Sequence, residues 1–242
     1  MTVLVVGASG ATGRLLVEEL LSRGQKVKAV IRSPGNVPEA LRNHDSLSIV
    51  PANLLELSYD EMTQLVHGCS AVVSCLGHNL TLKGMYGSPR NLVTDATRRL
   101  CEAIRASEPR DYVKFVLMNT AGNSNRDLDE PISMGQRCVV GLIRRLLPPH
   151  LDNEKAADYL RTNGSLNDNV IEWTVVRPDT LVNEKSVTEY EIYPSPTRSA
   201  VFNAGKTSRI HVAHFMADLI TDDETWKKWK RQMPVIYNRG FS

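Results

Sequence analysis

Short β-branched runs alternate with stretches of helical periodicity through most of the chain. Apolar runs at Thr2–Val6, Lys26–Ile31, Leu47–Pro51, Ala71–Cys75, Tyr112–Met118 and Glu172–Arg177 read as strands. Val, Ile and Leu dominate them, as in strands covered on both faces. The gaps carry helical spacing. Leu15, Leu16, Glu19 and Leu20 share one face, and Gly24 is placed to end that helix in a left-handed conformation. Tyr59–Val66, Asn91–Ala106 and Asn153–Thr162 follow, and "HVAHFMADLITDD" predicts a last amphipathic helix. Alternation of this kind predicts βαβ units and a doubly wound parallel sheet with helices on both faces.

Regularity weakens past Asn119. Asn119–Pro149 reads as an excursion with a polar loop and then "GQRCVVGLIRRLLPP". Its helical spacing predicts that Val139, Val140, Leu142, Ile143, Leu146 and Leu147 pack on the core with Arg144 and Arg145 solvated. A lid over the acceptor pocket and a dimer face are the alternatives. Pro194 and Pro196 mark a surface loop. Nothing separates a second domain, so residues 1–242 are read as one unit: residues 1–126 as a nucleotide-binding core, 127–242 as the substrate side.

Composition narrows the function classes. With 42% hydrophobic and 23% charged residues the chain can bury a sizeable core. Its 29 basic and 27 acidic residues leave a net charge of +2, which argues against nucleic acid or an anionic membrane as partner. No apolar stretch approaches the roughly 20 residues of a membrane span, and no leader pattern precedes the first strand. A cytoplasmic protein, monomer or homodimer, is the expectation. Cys69, Cys75, Cys101 and Cys138 show no metal-ligand spacing, so no metal site is expected.

The chemistry starts at "VVGASGATG", where Gly7, Gly10 and Gly13 stand between a strand and a helix. In that setting Gly7 turns the chain, Gly10 lets backbone approach a pyrophosphate, and Gly13 lets helix pack on strand. The helix N-terminus then faces the phosphates, with Ser9 and Thr12 as hydroxyl donors. This is the Rossmann-type dinucleotide fingerprint. An acidic residue closing the second strand would select NAD. Arg32 and Ser33 stand there instead and suit a 2′-phosphate, so NADP(H) is expected over NAD(H). Further strand ends supply Asn53 for the adenine, Cys75, Leu76 and Gly77 for the ribose and pyrophosphate, and Asn119 and Thr120 near the nicotinamide.

With "VVSCLG", "EKAADYLRTNG", "IEWTVVRPDTL" and "SRIHVAHFMADLITDDE" in order behind "GASGATG", the chain resembles the atypical short-chain dehydrogenases/reductases. Its nearest group there is the NAD(P)H-binding one that holds flavin and biliverdin reductases and NmrA-like sensors. The resemblance implies that Gly7, Ser9, Gly10, Ala11, Thr12 and Gly13 hold the pyrophosphate. It implies Arg32 for the 2′-phosphate, Asn53 and Leu54 for the adenine, and Pro178 beside the nicotinamide. Typical members use a Tyr four residues before a Lys. Lys155 occupies the Lys position, but Leu151 stands where the Tyr would be and cannot donate a proton.

That departure points to hydride transfer from NADPH to a flavin, quinone or other conjugated small-molecule acceptor, chemistry that needs no dedicated protein acid. A non-catalytic NADP(H) sensor of NmrA type fits the loss of Tyr equally, and an epimerase or dehydratase fits it less well. His150, beside the lost position, is a candidate acid or a residue packing the helix start. His78, Tyr86 and Tyr159 are further substitutes. Lys155 either hydrogen-bonds the nicotinamide ribose or is solvated. Arg198, Lys206 and Arg209 either meet an acidic substrate group or sit in water.

Overall fold

The computed structural model describes residues 1–33, 39–78, 81, 86–128, 130, 134–163 and 170–240. Strand β1 (Thr2–Val6) lies inside the sheet and is buried from Val3 onward. Its alternate side chains enter different layers: Val3 and Val5 go to one apolar cluster, Leu4 and Val6 to the other. That two-sided burial is why the run is continuously hydrophobic. Helix α1 (Ala11–Ser22) leads to β2 (Lys26–Ile31), parallel to β1 in the register Thr2↔Lys26 to Val6↔Val30.

The chain continues through α2 (Glu39–Arg42), β3 (Leu47–Pro51), α3 (Tyr59–Val66), β4 (Ala71–Ser74), α4 (Leu92–Ala106) and β5 (Val113–Met118). Ser58 and Glu61 close a reciprocal capping box at the start of α3. Then come α5 (Met134–Leu146), α6 (Pro148–Asn163), β6 (Ile171–Pro178), β7 (Thr180–Val182) and β8 (Tyr190–Tyr193). Last are β9 (Lys206–Ser208), α7 (Arg209–Thr221), α8 (Asp223–Trp229) and β10 (Val235–Asn238). The eight-stranded sheet runs β3-β2-β1-β4-β5-β6-β10-β8, with only β8 antiparallel, while β7 and β9 pair separately. Strand order reverses between β1 and β4, so a cleft opens there at the carboxyl ends of the strands. Helices α1 and α7 cover one face, and α3, α4 and α6 the other.

The doubly wound fold expected from the pattern is the fold observed. Helix α6 begins at Pro148, five residues before the expected start, because two prolines fit a first helical turn whose N–H groups have no partner to lose. The expectation for α5 needs correction. The segment is helical, but Leu142 is 57% and Leu146 55% exposed. Val139, Val140 and Ile143 are only half-buried. The helix rests on α6 at the surface instead of entering the core. Arg144, expected in solvent, is bound to Glu154.

One ion pair holds the far side of the sheet. Arg177, on β6, is fully buried, and its guanidinium meets Glu130 at 2.7 and 3.2 Å. It also donates to the carbonyls of Asn123 (2.7 Å), Met233 (2.6 Å) and Pro194 (3.2 Å). Glu130 in turn accepts from the Asn125 amide at 2.9 Å. Three loops therefore converge on one side chain. Arg177→Met leaves Glu130 a buried, unpaired charge and is expected to cost about 3–5 kcal/mol in urea unfolding. Adding Glu130→Leu is expected to recover part of that loss; a single mutant within about 0.5 kcal/mol of wild type would contradict the assigned role.

Candidate functional site

The turn after β1 is governed by a shortage of space. Gly7 has φ +75°, and a β-carbon there would lie 2.6 Å from the carbonyl carbon of Cys75, just past β4. Conformation and proximity both require glycine. A β-carbon on Gly13 would run into the Gly7 carbonyl, so the first turn of α1 packs directly on the turn that precedes it. Gly10 donates to the Gly7 carbonyl at 3.0 Å and caps α1 through its own backbone. No side chain caps α1, and no acidic residue stands in its first turn. Its free N–H groups and positive dipole end are left for an anion.

A cavity of about 430 Å³ lies beside this turn at the switch point. Its walls bring together Gly7, Ser9 and Gly10 from the turn, Arg32 from the end of β2, and Asn53, Leu54, Leu55 and Glu56 from the loop after β3. Cys75, Leu76 and Gly77 past β4 complete it with Pro89 and Leu92. Burial pushes the Cys75 thiol up to about 12, so this cysteine is a protonated wall residue rather than a nucleophile.

Other expected site residues are not on the wall of this cavity. Ala11 and Ser33 are exposed next to wall residues, while Thr12 and Gly13 are buried where α1 meets β1. Thr120 accepts from the Gly122 amide at 3.2 Å, and the Pro178 carbonyl accepts from Ala121 at 2.8 Å. Lys155 is exposed, with Nζ 3.5 Å from Asn91 Oδ1, next to Leu92 of the cavity wall. Leu151, one turn earlier on α6, is 37% exposed.

The His150 ring lies against Gly122, and its Nε2 is 3.5 Å from Glu154 Oε1. Tyr86 donates to the Leu146 carbonyl at 2.9 Å, and Tyr159 packs against the core. Arg198 and Lys206 line a second cavity of about 220 Å³ beyond β10, whereas Arg209 is turned to Asn183 Oδ1 at 2.9 Å.

Two residues not singled out in the sequence shape the cavity from behind. Asp152 has a fully buried side chain that accepts from the Val93 and Thr94 amides of α4 at 2.8 and 2.9 Å. His78 Nε2 is 2.7 Å from the same carboxylate. Asp152 thus caps α4 from another helix, so that dipole end is already neutralised. Arg99 donates to the carbonyls of Leu54 at 3.2 Å and of Leu55 and Leu57, pinning the loop after β3 to α4. Each had a signal: Arg99 falls on the apolar stripe with Leu92, Ala96 and Ala103, and Asp152 on the stripe with Ala156 and Leu160. A polar residue on a buried stripe needs a partner.

The model of the NAD(P)H-binding family matches residues 7–223. An uncharacterized chloroplastic protein of Arabidopsis thaliana is 28% identical over 228 residues, covering 92% of this chain and 73% of its own length. Among solved structures, the oxidoreductase ylbE of Lactococcus lactis matches with TM-score 0.68 and 19% identity, over 98% of this chain and 91% of its own. A short-chain dehydrogenase/reductase of Veillonella parvula, in complex with NADP, matches with TM-score 0.69 and 16% identity, over 99% and 95%. A Streptococcus pneumoniae protein whose name proposes an NADH-flavin reductase matches with TM-score 0.65 and 20% identity, over 99% and 100%. At these identities the solved structures establish a shared fold. Among the described residues, no helix is long and apolar enough to cross a membrane.

Glu154 supplies a pH test of how α5 is attached. Burial raises its pKa, but the two-pronged contact of Arg144, at 2.7 Å on each oxygen, with the His150 ring 3.5 Å away, outweighs that and holds it at about 2. A depressed folded-state pKa gives stability that is complete above the ordinary carboxylate range and lost as pH falls toward 2. Glu154→Gln is therefore expected to cost about 1–3 kcal/mol at pH 7 and almost nothing near pH 2. Urea unfolding of both proteins between those limits reads the difference; a gap independent of pH would contradict the pairing.

Proposed function

Because this chain belongs to the NAD(P)H-binding family, we propose that its switch-point cavity holds NADP(H) and that the protein passes a hydride to a flavin, quinone or other conjugated small molecule. The observation that carries the cofactor choice is Arg32. It lines the cavity at the end of β2, where an NAD site would place a carboxylate, and no acid follows it before Glu39. When bound, the dinucleotide supplies the hydride from its nicotinamide ring. The residues of the chain bind and orient it. The α1 N-terminus and the Gly10 backbone take the pyrophosphate, Arg32 takes the 2′-phosphate, and Asn53 and Leu54 take the adenine. Lys155, beside Asn91, takes a ribose hydroxyl on this reading.

Leu151 supports the acceptor class. An apolar side chain stands where relatives of the usual pattern keep a phenol, so α6 offers no proton there. Acceptors that take up their proton from water suit such a site. A second reading, a redox sensor that binds the nucleotide without turnover, is favoured by one feature, the exposed apolar face of Leu142, Leu146 and Leu147 that a protein partner would cover.

Two measurements test these readings. In a titration followed by nicotinamide fluorescence, Arg32→Ala is expected to weaken NADPH by about 1–3 kcal/mol and leave NADH nearly unchanged. Equal losses for both nucleotides would sink the 2′-phosphate role. NADPH oxidation with FMN or menadione as acceptor is expected to exceed the enzyme-free rate. Tight binding with no turnover over a panel of such acceptors would favour the sensor.

A further inference from the structure

Resting on that reading, we propose that the cavity beyond β10 anchors an anionic group of the acceptor, so that the protein takes acceptors with a phosphate or carboxylate tail over neutral ones. Arg198, Lys206 and Arg239 line this cavity of about 220 Å³, and Glu191 stands among them. Glu191 is engaged. It accepts from the Tyr193 hydroxyl at 2.8 Å and lies 3.8 Å from Arg239, which is also held by Glu189 at 2.7 Å. Cations outnumber carboxylates on the wall, which favours an anion.

Tyr237 points to the same kind of ligand. It lines the cavity and is 6% exposed, and among the described residues its buried hydroxyl forms no well-aligned hydrogen bond, Thr197 being the polar group beside it. A buried donor in that state costs free energy until something accepts from it. Burial raises the pKa of the phenol, so it stays protonated and can donate to an oxyanion. The ring is held in place from two sides. The Arg198 guanidinium lies 5.9 Å from its centroid, and a β-carbon on Gly205 would come within 2.6 Å of its Cδ1, so glycine makes the room it occupies.

Two contacts join this cavity to the strand ends where hydride passes on the proposed reading. The Gly205 amide donates at 2.9 Å to Asp179, the residue after Pro178. Ala121, whose amide meets the Pro178 carbonyl, packs with Tyr237. Strand β10 runs parallel to β6, so the cavity at its end opens on the carboxyl edge of the sheet, as the switch-point cavity does. Its volume is below the roughly 300 Å³ at which pockets for whole small molecules begin. It suits a tail and not a ring system. FMN and riboflavin divide on this point, since they share the ring that takes the hydride and only FMN ends its ribityl chain in a phosphate.

The test compares the two flavins, titrated by flavin fluorescence into the full-length protein with NADP⁺ saturating, so that the phosphate sites of the dinucleotide are already filled. Wild type is expected to bind FMN about tenfold more tightly than riboflavin. Tyr237→Phe and Arg198→Gln are each expected to lower that preference to about threefold, and together to bring the two flavins level. Removing a hydroxyl that has no partner is expected to leave urea unfolding of Tyr237→Phe near wild type, which separates a lost preference from a folding defect. Equal wild-type affinities, or a preference that survives both substitutions, would overturn this inference and leave hydride transfer standing if NADPH still reduces both flavins. Binding of neither flavin would overturn it as well, and if neither is reduced the flavin reading falls with it.

Discussion

Backbone meets backbone at Gly7 and Gly13, and the nucleotide half of the molecule is arranged around that contact. The β1–α1 turn touches the chain leaving β4 on one side and the first turn of α1 on the other, with no room for a β-carbon at either point. Close approach fixes the angle at which α1 leaves the sheet. Its N-terminus then faces the gap between β1 and β4, and nothing in the first turn quenches the dipole. The constraint is steric and acts through main chain, so it tolerates any sequence on the outer face of α1.

Side chains hold the remaining walls. Asp152 ties α6 to the start of α4 and to His78, so the segment past β4 and the Leu92 wall are fixed by one carboxylate. Arg99 does the same for the loop after β3. Both are polar groups inside apolar stripes, where an unmet hydrogen bond costs more than a met one contributes. They therefore favour one arrangement of the walls over many. The contrast between the two helix ends follows. A carboxylate of the protein satisfies α4, while no side chain caps α1.

Local features were legible in the sequence, and long-range ones were not. The strands of the first half could be read because each is buried on both faces, and the glycine turn because strand, turn and helix are contiguous. Arg32, Asn53 and Cys75 could be placed in the cleft because each ends a strand and strand ends converge. Strands β8 and β10 escaped notice: "YEIY" is a half-buried edge strand and "VIYN" only four residues long, too short to show a period. Helix α5 misled because its apolar spacing is the same whether a core, a lid or a partner covers it. Asp152, Arg99 and Glu130 have roles set by residues far along the chain.

The loops on the other side of the sheet are held on a different principle. There the loops are gathered by ion pairs: Arg177 with Glu130 beneath the segment around Asn123 and Pro194, and Arg144 with Glu154 between α5 and α6. Such pairs fix loop ends without prescribing what lies between them, so the intervening surface can change while the sheet stays as it is. Leu151 belongs to that outer surface. It stands one residue before Asp152, whose position is dictated by the α4 cap, so the helix presents residue 151 to solvent at a fixed place whatever its identity. Leucine offers no proton there, and on the proposed reading the acceptor is one that hydride alone can reduce.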